Sequence, residues 1–213
     1  QYQLKNNAVY GAFVKALGTD TSRVDSLARI PFLPVRVFKN MKIKSGDFEP
    51  AAVFESSGTT GMVNSRHLVK DLSIYQESFT RGFELIYGPA SEFCIIGLLP
   101  SYLERGNSSL VYMVDKLIRQ TGHPQSGFYL NEFDKLAIVL QELESRQQKT
   151  LLIGVSFALL DFVEKYQIPL KHTIIMETGG MKGRRKELIR PELHRILKAA
   201  FSVPVIHSEY GMT

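Results

Sequence analysis

Thr150-Leu-Leu-Ile-Gly-Val-Ser-Phe-Ala-Leu-Leu-Asp-Phe-Val-Glu-Lys-Tyr166 reads as a short apolar strand, Thr150 to Gly154, followed at once by an amphipathic helix, Ser156 to Tyr166. The same alternation extends in both directions. Further strands are predicted at Ala51 to Phe54, Phe93 to Leu99, Thr173 to Met176 and Val203 to His207. Further helices are predicted at Asp71 to Tyr87, Ser108 to Gln120, Glu132 to Gln147 and Arg184 to Phe201. Asp71 and Ser156 are suited to capping helix N-termini, and Gly88 and Gly122 to stopping helices. Strands interleaved with helices in this way define an α/β fold with a mainly parallel sheet flanked by helices. Ligands of such sheets gather at the loops beyond the strand C-terminal ends, so those loops are where chemistry is to be sought.

The segment before this pattern is different. Residues 1–50 combine helical character around Asn6 to Leu17 with an extended stretch fixed by Pro31 and Pro34, and read as a helical and extended arm. Residues 51–213 form the α/β domain. With 213 residues, 44% of them hydrophobic and 22% charged, the chain can bury a substantial core. No stretch approaches the roughly 18 apolar residues of a membrane span and Gln1 to Ala8 is polar, so a cytoplasmic protein without a membrane partner is expected. Cys94 is the only cysteine, which excludes an internal disulfide and a cysteine-based metal cluster. It sits in Glu92-Phe-Cys-Ile-Ile-Gly-Leu-Leu99, where a small buried side chain is the expected role. The net charge of +5 suits an anionic small molecule or a nucleic acid equally. Its densest run, Lys182-Gly-Arg-Arg-Lys186, continues through Arg190, Arg195 and Lys198 with Glu187 and Glu192 interspersed, the pattern of a solvated helix face.

Three segments carry candidate chemistry, each placed after a predicted strand. Ser56-Ser-Gly-Thr-Thr-Gly61 packs four hydroxyls and two glycines into six positions, which suits either a phosphate cradle or a polar turn between strands. The Gly-Lys-Ser/Thr ending of a Walker loop is absent. Glu177-Thr-Gly-Gly-Met-Lys-Gly183 offers paired glycines that admit a flat ligand or simply link into the next helix. His207-Ser-Glu-Tyr-Gly-Met-Thr213 offers Tyr210 for stacking on a nucleobase and Thr213 for a phosphate contact, or else a core tyrosine and a surface loop.

In this order and spacing the three segments resemble the adenylate-forming superfamily of acyl-CoA synthetases, luciferases and peptide-synthetase adenylation domains. Ile30-Pro-Phe-Leu-Pro34, the Ser56 to Gly61 loop with Ser65-Arg-His67, and Leu98-Leu-Pro-Ser-Tyr102 are most similar to the branch of LuxE-like acyl-protein synthetases and phenylacetate-CoA ligases. The resemblance implies the large N-terminal domain of such an enzyme, using ATP and Mg²⁺ to activate a carboxylic acid, expected to be a fatty acid, as an acyl-adenylate. The acyl group would pass to a thiol, which in the LuxE-like case is a cysteine of the protein outside this chain or of a partner protein, and in the other case coenzyme A. Nucleic acid is not an expected partner of such a ligase.

Carried over by the resemblance, Ser56, Ser57, Gly58, Thr59, Thr60 and Gly61 would hold the β,γ-phosphates of ATP. Gly179, Gly180 and Met181 would line the adenine and acyl slot, Tyr210 would stack on adenine, and Thr213 would meet the α-phosphate. Pro100, Ser101 and Tyr102 would border the carboxylate tunnel, with Ser156 at the start of its helix forming another wall. The lysine that usually follows the phosphate loop is missing, and Arg66 is the nearest cation that would replace it. Met181 stands where part of the superfamily has glutamate. The motif's Mg²⁺-holding glutamate would come directly after Thr213, so no metal ligand is assigned within the chain. The C-terminal part of the domain is expected to be absent, and these 213 residues are expected to be inactive alone. Two other readings stand beside the ligase. One is a hydrolase or phosphotransferase using Ser56 or Ser57 as nucleophile with a base from among His67, His123, His172, His194 and His207, for which no Gly-x-Ser-x-Gly elbow is present. The other is a non-catalytic nucleic-acid-binding domain built on the Lys182 to Lys198 face.

Overall fold

The computed structural model describes residues 1–56, 64–99, 106–181 and 183–211. They fall into two compact units, one of residues 1–72 and one from residue 73 onward.

In the first unit the helical stretch near the N-terminus is two short helices, α1 (Tyr2–Asn6) and α2 (Ala8–Ala16). The break is at Asn7, whose backbone is extended (φ −123°, ψ 101°) and whose side-chain oxygen caps α2 by accepting from the Tyr10 N–H at 3.1 Å. Two 3₁₀ turns (Thr21–Arg23 and Leu27–Arg29) and α3 (Val37–Asn40) follow. The chain then returns to its own beginning, where the Gly46 N–H donates to the Asn6 carbonyl at 2.6 Å and the Ser45 hydroxyl to Gln3 Oε1 at 2.5 Å. Strands β1 (Ala52–Glu55) and β2 (Arg66–Val69) pair antiparallel, with Glu55 opposite Arg66. Ser56 closes the neck of this hairpin twice: its N–H donates to the Ser65 carbonyl, and its hydroxyl oxygen accepts from the Ser65 N–H, each at 3.0 Å.

The second unit holds α4 (Leu72–Tyr87), β3 (Cys94–Leu98), α5 (Ser109–Thr121), β4 (Gly127–Phe128), α6 (Phe133–Ser145), β5 (Thr150–Val155), α7 (Ser156–Lys165), β6 (Thr173–Thr178), α8 (Arg190–Phe201) and β7 (His207–Glu209). Its five strands pair in parallel in the order β4-β3-β5-β6-β7. Cys94, Ile95, Ile96 and Leu98 have no exposed surface, as expected of a strand with helices on both faces. From β3 the chain steps outward to β4, then crosses back to place β5 on the other side of β3 and continues to β6 and β7. Right-handed crossovers in these two directions put α5 on one face of the sheet and α7 on the other. The steric surroundings agree: a Cβ on Gly97 would meet Val114 of α5 at 3.3 Å, whereas one on Gly154 would meet Leu159 of α7 at 2.7 Å.

Three expectations are corrected. Helix α8 begins at Arg190 rather than Arg184, because Pro191 fits only the first turn of a helix and would break one already under way. Strand β7 forms at His207–Glu209 rather than Val203 to His207. Val203 and Ile206 are buried as packing residues, and Pro204 between them cannot donate to a strand ladder. Ser156 is the first residue of α7 and Val155 is its cap, since the Ser156 hydroxyl is turned away from the helix end toward β6.

Candidate functional site

The strand order reverses between β3 and β5, so the crevice beyond their C-terminal ends is a topological switch point. Ser156 follows β5 directly at this place, and Pro100, Ser101 and Tyr102 come next after β3 in the chain.

On the α7 side of the sheet the parallel register lines up Gly154, Glu177 and Ser208 across β5, β6 and β7. Glu177 is the only charged side chain among the buried described residues, with 5% of its surface exposed. Burying a carboxylate is costly unless it is hydrogen-bonded and paired, and Glu177 has partners on both oxygens. Oε1 accepts from the Ser208 hydroxyl at 2.6 Å and lies 3.4 Å from His194 Nε2 and 3.7 Å from Arg190 Nε, both on α8. Oε2 faces the Ser156 hydroxyl at 3.2 Å. Ser156 Oγ also lies 3.4 Å from the carbonyl oxygens of Thr178 and Gly179, so its single proton is shared between the carboxylate and the start of the following turn. Ser208 Oγ is 3.5 Å from His194 Nε2, the same nitrogen that faces Glu177. A serine-histidine-acid relay requires the acid on the other ring nitrogen, so this trio is not one.

The opposite side of the sheet carries a second set of polar contacts. Thr178 Oγ1 donates to Glu209 Oε2 at 2.6 Å, and Tyr87 OH lies 2.9 Å from His207 Nδ1. Burial, and after it the nearby Glu209 charge, raises the Tyr75 phenol above its ordinary range.

Of the residues singled out in the sequence, Gly179, Gly180, Met181 and Tyr210 follow neighbouring strands β6 and β7 and are brought together at one end of the sheet with Ser156. Gly179 has φ 70°, a left-handed conformation that glycine adopts without strain. A Cβ on Gly180 would find nothing nearer than Glu187 Oε2 at 3.9 Å. Met181 is buried at 1% exposure, and Tyr210 is 81% exposed with its ring open to solvent. Ser56 and Arg66 belong to the first unit. The Ser56 hydroxyl accepts from Ser65, which leaves its proton to donate. Arg66 is exposed on β2 and lines a groove of about 470 Å³ together with Tyr10, Phe48 and Lys70. Ser57, Gly58, Thr59, Thr60, Gly61, Pro100, Ser101, Tyr102 and Thr213 lie outside the described residues.

Sequence reasoning quoted Glu177, His194 and Ser208 without joining them. The available signal was a lone acid at the end of the apolar run Thr173 to Met176, a place where a parallel strand rarely tolerates an uncompensated charge. In the basic run, Arg185 is engaged with Asp161 and with Glu164 at 2.6 Å, both on α7. Its charged form is favoured by these partners, the Glu164 hydrogen bond foremost. Comparison with protein-family models, curated proteins and solved structures finds no match.

Proposed function

We propose that the chain is part of a ligase that activates a carboxylic acid with ATP and passes the acyl group from the adenylate to a thiol. The observation that carries this reading is the placement of the Gly179-Gly180 and Tyr210-Gly211 turns side by side at the C-terminal ends of β6 and β7. A glycine turn beside an exposed tyrosine ring suits a flat purine: the space around Gly180 allows close approach and Tyr210 offers a face for stacking. The phosphate role of Ser56, Ser57, Gly58, Thr59, Thr60 and Gly61 rests on the family resemblance alone. Mg²⁺, when bound, neutralises phosphate charge in this class of reaction. The work left to the protein is to hold the carboxylate in line with the α-phosphorus and to stabilise the charge of departing pyrophosphate.

A fatty acid as substrate, and a protein thiol as acceptor, rest on the LuxE-like resemblance; a phenylacetate-type ligase would use coenzyme A. Cys94 is not the acceptor, because it is fully buried and burial pushes its thiol up to about 11. The nucleic-acid reading is less well supported, since Arg185, at the centre of the basic run, is already engaged by two acids of α7. The deciding experiment is ATP–pyrophosphate exchange by the intact gene product across a panel of aliphatic and aromatic carboxylic acids. Acid-dependent exchange is expected. Its absence with every acid, together with tight oligonucleotide binding that falls steeply with salt, would overturn the proposal in favour of a nucleic-acid-binding domain.

A further inference from the structure

We propose that Glu177 is a positioning residue that sets the geometry of the two turns after β6 and β7 at once. The inference rests on the ligase reading for its functional consequence and on the contacts of Glu177 for its physical content. One carboxylate oxygen holds Ser208, two residues before Tyr210, at 2.6 Å. The other faces Ser156, whose hydroxyl also reaches the Gly179 carbonyl at 3.4 Å. A single side chain therefore ties the start of α7, β6 and β7 together at the level where both turns leave the sheet, and His194 and Arg190 tie the same carboxylate to α8.

A buried carboxylate that keeps all of its donors is stable, but losing any of them leaves an under-satisfied charge, so the contacts act as a set. The two turns are thus coupled: neither departs from its geometry without a cost at Glu177. Glycines at 179 and 180 supply no side chain of their own to hold the first turn, and Tyr210 is too exposed to anchor the second. Glu177 supplies from below the order that neither turn can supply for itself.

The test compares backbone amide hydrogen exchange in the intact protein and in Glu177→Leu, Ser156→Ala and Ser208→Ala variants. Glu177→Leu is expected to speed exchange about tenfold or more both at residues 178–181 and at residues 208–211, with β3 and β5 unchanged. Ser156→Ala should loosen the first turn more, and Ser208→Ala the second. Glu177→Gln should restore much of the protection, because its carbonyl can still accept from Ser208 while its amide donates to Ser156. If Glu177→Leu does not fold, the double variant Ser156→Ala/Ser208→Ala replaces it and must loosen both turns with the sheet intact. Unchanged exchange in both turns, or loosening of only one, would overturn the proposal.

In pyrophosphate exchange, Glu177→Leu should raise the KM for ATP about tenfold and leave kcat within about twofold. A purely structural role would lower the folded fraction without moving KM, and that outcome would also count against positioning. A wild-type protein with no pyrophosphate exchange would remove the ligase reading, while the amide exchange would still decide the role of Glu177.

Discussion

Cys94 has no exposed surface, and burial pushes its thiol up to about 11 despite the opposing contact from Ser126 Oγ at 3.7 Å. The thiolate is the reactive form, and at pH 8 it would amount to only about one molecule in a thousand. A protein made of these 213 residues is therefore expected to resist a thiol-specific reagent such as Ellman's reagent until it is unfolded in guanidinium. Rapid stoichiometric labelling of folded protein would contradict the burial. Tyr210 is the opposite case. With 81% of its surface exposed it has little packing to lose, so Tyr210→Ala should leave the unfolding midpoint nearly unchanged. The same change should weaken binding of a non-hydrolysable ATP analogue by about 1–3 kcal/mol, the usual worth of a base stacked on an aromatic ring. Equal affinity in calorimetric titration would remove Tyr210 from the site. At this scale the exposed candidates were legible in the sequence because turn chemistry is local. The hydrogen-bonding contacts of Glu177 were not, because they join residues 17 to 31 positions apart that only the fold brings together.

The elements themselves were easier to read. Strands β3 and β5, and β6 as far as Met176, are predominantly apolar because helices cover both faces, and such runs stand out even without alternation. Strand β7 was misplaced because its three residues, His207, Ser208 and Glu209, are polar, and the apolar signal came from Val203 and Ile206 just before them. Strand β4, only Gly127–Phe128, is too short to leave any periodic trace. The close packing of α7 on β5 yields a sharp expectation. A methyl group at position 154 would sit 2.7 Å from Leu159 Cγ, so Gly154→Ala should destabilise the protein by about 1–3 kcal/mol through overpacking. Leu159→Ala opens a cavity at the same place and is costly alone, but the double variant should be more stable than the two single losses added together. Urea unfolding of the four proteins measures that coupling; strict additivity would show that the two side chains do not compete for one space.

At the scale of the whole molecule, the two units differ in how much core they hold. The described residues of the first unit bury few apolar side chains, Val14 and Phe54 among them, whereas the second has a continuous core running through β3, β5, β6 and the helices that cover them. Burial on that scale can offset chain entropy in the second unit but not in the first. Residues 71–213 expressed alone are expected to unfold cooperatively, with helical circular dichroism and dispersed amide resonances. Residues 1–72 alone are expected to give the narrow amide dispersion of an unfolded chain. A folded first unit, or a second unit with no cooperative transition, would contradict this division. The sealed position of Cys94 has a practical corollary. With one cysteine in the chain and that one inaccessible, a cysteine introduced near Tyr210 or on the β1–β2 hairpin would be the sole point of attachment for a fluorophore or nitroxide. Spectroscopic signals from either unit could then be recorded against a silent background, without first removing a native residue.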